Sequence, residues 1–396
     1  MSGTASVKLA DRMSKLGTET AFDVLVRARA LEAEGKHVIH LQLGEPDFDT
    51  PSHIVDAAVD ALRSGDTHYT PTAGIPTLRQ AIADYTSETR GVAFSPDQVV
   101  VTPGGKPIMF FVVLALAGEG DEVVYPDPGF PIYQSVVNFA GAVPIPLELK
   151  EEHGFGFSPD QIRSLVNDKT KLVIINSPHN PTGGMVSEES LEELARLAVK
   201  HDFMVLTDEI YSRIAYDHDG VPTSISTFPG MAERTIILDG FSKTFAMTGW
   251  RLGYGVMPKT LADQVTRLAV NCNSCTPGFV QQAGLAALTG PQEPVDEMVA
   301  EFRRRRDTVV AGLNETPGIS CIEPAGAFYV FPNITGLGRD SDTVANDLMY
   351  DGHVALVSGT SFGPAGEGYI RISYANSMAN LTDALRRIRE TVGRLY

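Results

Sequence analysis

The chain is poor in cysteine, has a single tryptophan and carries far fewer basic than acidic residues. Its three cysteines, Cys272, Cys275 and Cys321, are too few to staple a fold, which suits a reducing, cytoplasmic setting. Cys272 and Cys275 form a C-x-x-C, but no second pair or histidine cluster completes a metal site, so no metal is expected. Lys and Arg total 32 against 49 Asp and Glu, a formal net charge of −17. That balance argues against nucleic acid or an anionic membrane as partner. The longest apolar run, 108–117, is about half the roughly 20 residues that a membrane-spanning helix needs. Residues 1–15 show no apolar core of a secretory signal, and there is no low-complexity tract or internal repeat. With those classes set aside, 396 residues at 43% hydrophobic content suit one large globular domain and a smaller one.

What the chain does have is a recurring pattern of short apolar runs, turn residues and helical stretches. Strands are expected at 98–102, 121–125, 171–176, 203–207 and 235–238, with 252–257 returning from the last. Helices are expected at 53–65, from the Ile75-Pro76 turn to about Arg90, and at 107–117, 262–269, 293–313 and 381–395. A polar loop, 271–277, should break the helix that starts at 262. At the start of the chain, Thr18-Glu19-Thr20 reads as the cap of a helix at 21–34 that stops at Gly35. A strand from Val38 then leads into Gly44-Glu45-Pro46. Near the end, strands are expected at 327–331, 354–357 and 368–374. Alternation of this kind predicts an α/β fold with a mostly parallel sheet, and such sheets bind ligands at their strand exits.

Several of those exits carry residues with chemistry. Ser242, Lys243 and Arg251 follow the run 235–238, among Gly240, Gly249 and Gly253. A lysine there can form a Schiff base with an aldehyde cofactor, while the hydroxyl and the guanidinium hold a phosphate. A lone Ser-Lys is more often a solvated surface pair. Pro103-Gly104-Gly105-Lys106 stands between a strand and a helix, where free N–H groups and the helix dipole suit a phosphate. Asp208 ends a strand with Tyr211 three residues on, which by themselves read as a cap and a core aromatic. Arg371 alternates with Ile370 and Ile372 and so faces the other side of its strand; the ordinary reading is a buried ion pair. Taken singly, Gly44-Glu45-Pro46 is a turn, Phe130 a core aromatic, Tyr69 a packing residue and His179 a loop residue.

Together, Ser242-Lys243 with Gly249-Trp250-Arg251-Leu252-Gly253, Asn180-Pro181-Thr182-Gly183 and the Gly44-Glu45-Pro46 loop resemble the fold-type I, pyridoxal phosphate (PLP) dependent aminotransferases of class I/II. The resemblance runs through nearly the whole chain. It implies a large PLP-binding domain at 50–290 with a mostly parallel seven-stranded sheet. It also implies a smaller α+β domain at 291–396, to which the N-terminal arm, 1–49, contributes. By the same resemblance Lys243 carries the cofactor and moves the α-proton, and Asp208 pairs with the pyridine nitrogen. Asn180 and Tyr211 approach the phenolic oxygen, and Phe130 stacks on the ring. Gly104, Gly105, Lys106, Ser242 and Arg251 lie at the phosphate. Tyr69 reaches the phosphate of a neighbouring subunit, which implies a homodimer with shared sites. Gly44, Asn180 and Arg371 meet the substrate, Arg371 through a two-pronged grip on the α-carboxylate.

The activity so implied moves an amino group from an L-amino acid to a 2-oxo acid in two half-reactions, with 2-oxoglutarate as a candidate acceptor. An amino acid β-lyase or an O2-dependent amino acid oxidase on the same scaffold would share all these residues. A transcriptional regulator would need a DNA-binding module, and no basic stretch precedes the Gly44 loop. A binding protein without catalysis would have no need of Lys243 and Asp208. The arm carries Gly-Thr-Glu-Thr where aspartate/prephenate-type relatives tend to have Pro-Ser-x-Thr, and no second arginine is assignable to a side-chain carboxylate. Both points put aspartate specificity in doubt. Glu19 is expected to fold over the site as part of a lid and to favour donors with polar or cationic side chains.

Overall fold

The computed structural model describes residues 7–216 and 220–396. The chain begins with α1 (Thr20–Ala33), the short strand β1 (Ile39–His40), α2 (Ser52–Arg63) and α3 (Pro76–Arg90). Strands and helices then alternate: β2 (Val99–Thr102), α4 (Lys106–Leu116), β3 (Glu122–Asp127), α5 (Ile132–Ala140), β4 (Val143–Glu148), α6 (Pro159–Leu165), β5 (Thr170–Asn176), α7 (Glu188–His201) and β6 (Met204–Asp208). The strands β7 (Thr235–Gly240) and β8 (Gly253–Val256) pair with each other, and α8 (Lys259–Cys272) and α9 (Gly278–Thr289) follow. The last part holds α10 (Glu293–Asn314), β9 (Tyr329–Val330), α11 (Ser341–Tyr350), β10 (Val354–Ala355), β11 (Val357–Ser358), β12 (Ile370–Ser373) and α12 (Met378–Leu395).

The central sheet has seven strands in the order β2-β8-β7-β6-β5-β3-β4. β8 runs antiparallel to both neighbours, and the other pairs are parallel. Burial on both faces explains the composition. In β5, every residue from Leu172 to Asn176 is buried, as a strand covered by helices on both sides requires. Apolar clusters lie on either face, one around Val112, Val136 and Leu206 and another around Leu147, Leu194 and Phe203. Because all strands but β8 point one way, the exits of β2, β3, β5, β6 and β7 open on the same edge.

The last part of the chain packs its own core around Phe302, Phe328, Leu348 and Ile372, and that core reaches Tyr211 beside the sheet edge. The arm joins this part: β1 pairs with β10, and Val24 and Ala28 of α1 pack with Met349 and Ala355. The three-stranded sheet β11-β12-β9 places Arg371 and Tyr329 on adjacent strands.

Several expected elements differ. The expected strand at 354–357 is two short strands. Val354–Ala355 pairs with β1 and Val357–Ser358 with β12, so the chain changes sheets at Leu356. α8 continues through Asn271 to Cys272, past the expected break. Thr18-Glu19-Thr20 does not cap α1 by a side chain: Glu19 holds the N-cap position with no such bond. The helices α5, α6, α7, α9 and α11 have no counterpart in the expected set. α9 shows why, since its buried face combines the small Gly278, Ala283, Gly284 and Ala287 with Val280 and the polar Gln281, which gives little amphipathic contrast. No helix among the described residues is long and apolar enough to cross a membrane.

Candidate active site

The strand exits and the C-terminal sheet enclose a cavity of about 550 Å³. Gly105 and Lys106 enter it from β2, Phe130 from β3, Asn180 from β5, Asp208 and Tyr211 from β6, and Ser242, Lys243 and Arg251 from the β7–β8 connection. Gly44, Tyr329 and Arg371 close it from the other side. Residues far apart in sequence thus meet because one sheet edge collects their loops.

Lys243 is partly exposed to the cavity, and its Nζ donates to the carbonyl of Gly44. Loss of solvent lowers its pKa to about 8; Arg371, Arg251 and Lys106 push the same way and Glu45 opposes them. Asp208 is buried at the end of β6. Its Oδ2 accepts from the Tyr133 hydroxyl at 2.9 Å and its Oδ1 from the Ile210 N–H at 3.3 Å. Burial raises its pKa to about 7, with Asp239 and Glu209 adding and the two hydrogen bonds opposing. Tyr211, also buried, shares a 2.8 Å hydrogen bond with the hydroxyl of Tyr329.

Arg371 is not the buried ion pair that its strand context suggests. Its guanidinium lies 4.7 Å from the ring centroids of Tyr329 and Phe362, donates from Nη1 to Asn180 Oδ1 at 3.0 Å, and donates from Nη2 to the Gln42 carbonyl. Its Nε has no partner, and no carboxylate pairs with it among the described residues. Burial lowers its pKa, yet the group keeps its charge, so the cavity holds a buried cation short of an anion. Asn180 spends Oδ1 on this arginine, which leaves its Nδ2 as a donor.

The glycines have concrete reasons. A Cβ on Gly44 would stand 1.9 Å from Tyr329 Oη, so the loop can pass Tyr329 only without a side chain. Gly104 has φ +84°, and a Cβ there would lie 2.3 Å from Arg251 Nη2. The glycine loop before α4 and the arginine of the β7–β8 connection are therefore in contact. Arg251 itself sits at φ +57°, a strained setting for a non-glycine residue.

Two candidates, Lys106 and Tyr69, and the loop residue His179 are placed differently from the rest. Lys106 turns its ammonium to the Glu19 carboxylate and lies 5.3 Å from the Phe130 ring centroid. Tyr69 is 92% exposed and lies outside the cavity. His179 is on a loop but its side chain is buried; its Nδ1 bonds Thr182 Oγ1 at 2.8 Å, and burial lowers its pKa to about 3. It is a neutral brace of the Asn-Pro-Thr-Gly turn.

The sequence reading missed Tyr133, Tyr329 and Phe362, each of which touches an expected site residue. It also missed a buried network behind Asp208. Arg90 of α3 donates from Nε to Glu209 at 3.0 Å and from Nη2 to Asp239 at 2.8 Å. It thereby ties the residue after Asp208 to the strand that leads to Lys243. The available signal was Asp239 and Glu209 standing inside or next to apolar strand runs, where a charge needs a partner.

A parallel-rich sheet with a lysine, a buried aspartate and an uncompensated arginine around one cavity defines a fold-type I enzyme of the PLP class. The chain belongs to the family aminotransferase class I and II, whose profile it matches over residues 36–388. It is 38% identical over 386 residues to an aspartate aminotransferase of Musicola paradisiaca, covering 97% of this chain and 96% of the relative. It is 38% identical over 388 residues to aromatic-amino-acid aminotransferase 2 of Thermococcus litoralis, covering 97% and 98%. The aspartate aminotransferase structure from Rhizobium meliloti superposes with a TM-score of 0.94 at 35% identity, covering 99% of this chain and 100% of that one. The protein is a PLP-dependent aminotransferase.

Proposed function

We propose that this enzyme transfers the amino group of an L-amino acid to a 2-oxo acid in a ping-pong cycle, with Arg371 holding the α-carboxylate of both. The observation that carries the reading is the buried Arg371 guanidinium, without a counter-ion, in the cavity that also holds Lys243. A substrate carboxylate supplies the missing anion through two parallel hydrogen bonds.

The residues present fit the cofactor. A protonated ring nitrogen is the cation that buried Asp208 lacks, and Tyr133 holds the carboxylate in place for it. The Gly104-Gly105 backbone at the start of α4, packed against Arg251, is a cradle for a phosphate that any Cβ at Gly104 would fill. Bound PLP supplies an aldehyde that takes up the amino group and a ring that accepts the electrons released at Cα. Lys243, lowered to about 8, is neutral in a useful fraction near that pH and moves the proton from Cα. Asn180 Nδ2 and the Tyr211 hydroxyl would hold the ring oxygen, Phe130 would cover the ring, and Ser242 and Lys106 would border the phosphate.

The same reading makes the arm plus 291–396 the smaller domain and 50–290 the larger, in a cytoplasmic homodimer where Tyr69 completes a neighbour's site. Its exposure in one chain supports that placement. The relatives named for aspartate and for aromatic amino acids support an amino acid donor of either kind. The test is a panel of amino donors against 2-oxo acids, followed by cofactor absorbance, with borohydride reduction and peptide mapping. The expected result is turnover that depends on the oxo acid and a pyridoxyl label on Lys243. A label on Lys106, or turnover that consumes O2 without an oxo acid, would reject it.

A further inference from the structure

We propose that Glu19 sets the substrate preference: by holding Lys106 it leaves the arm side of the cavity without a free cation, so the enzyme favours neutral side chains over dicarboxylates. The proposal rests on Arg371 as the α-carboxylate site, and it replaces the expectation that Glu19 itself would attract a polar or cationic side chain.

With the α-carboxylate on Arg371 and Cα beside Lys243, the substrate side chain has the rest of the lining to meet. The arm supplies Glu19, Ala21, Phe22 and Glu45 there, the last with its carboxylate accepting from the Thr248 hydroxyl, and α4 supplies Lys106 and Met109. Glu19 lines the same cavity as Arg371 and Tyr329. Phe22 is 56% exposed, an apolar surface that a substrate side chain can cover. Alone, Lys106 would welcome a second carboxylate, and Glu19 alone would welcome an ammonium. Paired, each has a partner already. A dicarboxylate must pull Lys106 from Glu19 and then stand beside the released carboxylate. A cationic side chain meets the mirror-image obstacle. A neutral side chain leaves the pair intact, and the Phe130 ring beside the Lys106 ammonium holds that pair in place.

The test uses the holoenzyme and two unreactive acids, maleate and 4-methylpentanoate, with binding measured by calorimetry. Wild type should bind 4-methylpentanoate more tightly, by roughly fivefold or more. Glu19→Gln releases Lys106 and should tighten maleate by roughly fivefold and leave 4-methylpentanoate nearly unchanged. The kcat/KM ratio of leucine to aspartate should fall in step. Glu19 makes no capping bond, so the variant removes nothing that α1 depends on. A wild type that prefers maleate, or a variant that shifts both acids equally or neither, overturns the proposal while leaving the aminotransferase reading standing. If neither acid binds wild type, it is the Arg371 reading that has failed, and this inference with it.

Discussion

Asp208 shows how one side chain links stability to function. A free aspartate titrates near 3.9, and burial holds Asp208 at about 7. As pH rises from about 4 to 7, the unfolded chain gives up this proton while the folded apoenzyme keeps it. The folded state then binds more protons than the unfolded state, so stability falls with pH across that window. Asp208→Asn removes the contribution, which is on the order of a few kcal/mol. Chemical denaturation of the apoenzyme at pH 4.5 and 7.5 should show a smaller loss for the variant than for wild type. Equal losses would mean that Asp208 ionises freely. With PLP bound, a ring cation stabilises the carboxylate, and the wild-type loss should shrink as well.

At the scale of elements, the turn before α4 depends on a conformation that only glycine takes easily. Gly104→Ala forces a side chain into φ +84° and against Arg251 Nη2. The backbone cost alone is about 1–2 kcal/mol, and displacement of Arg251 should weaken PLP binding more than tenfold by fluorescence titration. Unchanged affinity would place the phosphate elsewhere. This loop was legible in the sequence because a strand, a glycine pair and a helix stand in direct succession. Lys243, Asp208 and Asn180 each stand at or just after the end of an apolar run, but position alone gave them no role; that came through the family resemblance. Tyr329 and Phe362 were not, because their partners lie in other elements and nothing local distinguishes them from core aromatics. Arg371 was half legible: alternation gave its face, but the absence of a counter-ion appears only in three dimensions. The Glu19–Lys106 pair spans the arm and α4, a contact that no periodicity encodes.

For the whole molecule, the exposed Tyr69 makes a prediction about assembly. Two inactive variants, Lys243→Ala and Tyr69→Ala, should recover part of the activity when their subunits exchange, since one site of the hybrid then carries neither change. No recovery after proven exchange would leave Tyr69 a surface residue. The placement of Lys243 has a further consequence. Its segment, 241–252, leaves and re-enters the sheet at paired residues, with Gly240 opposite Gly253 and Asp239 opposite Tyr254. The segment is therefore closed at its base by the hairpin ladder, while its tip is held by the buried Phe241, Phe245 and Met247 and by long turn hydrogen bonds such as Ala246 N–H to the Lys243 carbonyl at 3.5 Å. In deuterium exchange, the amides of β7 and β8 should be replaced only as fast as the molecule unfolds. Those around Lys243 and Arg251 should exchange through a smaller, faster opening. Lys243 then works from a fixed footing, a few residues from the amides that should exchange slowest.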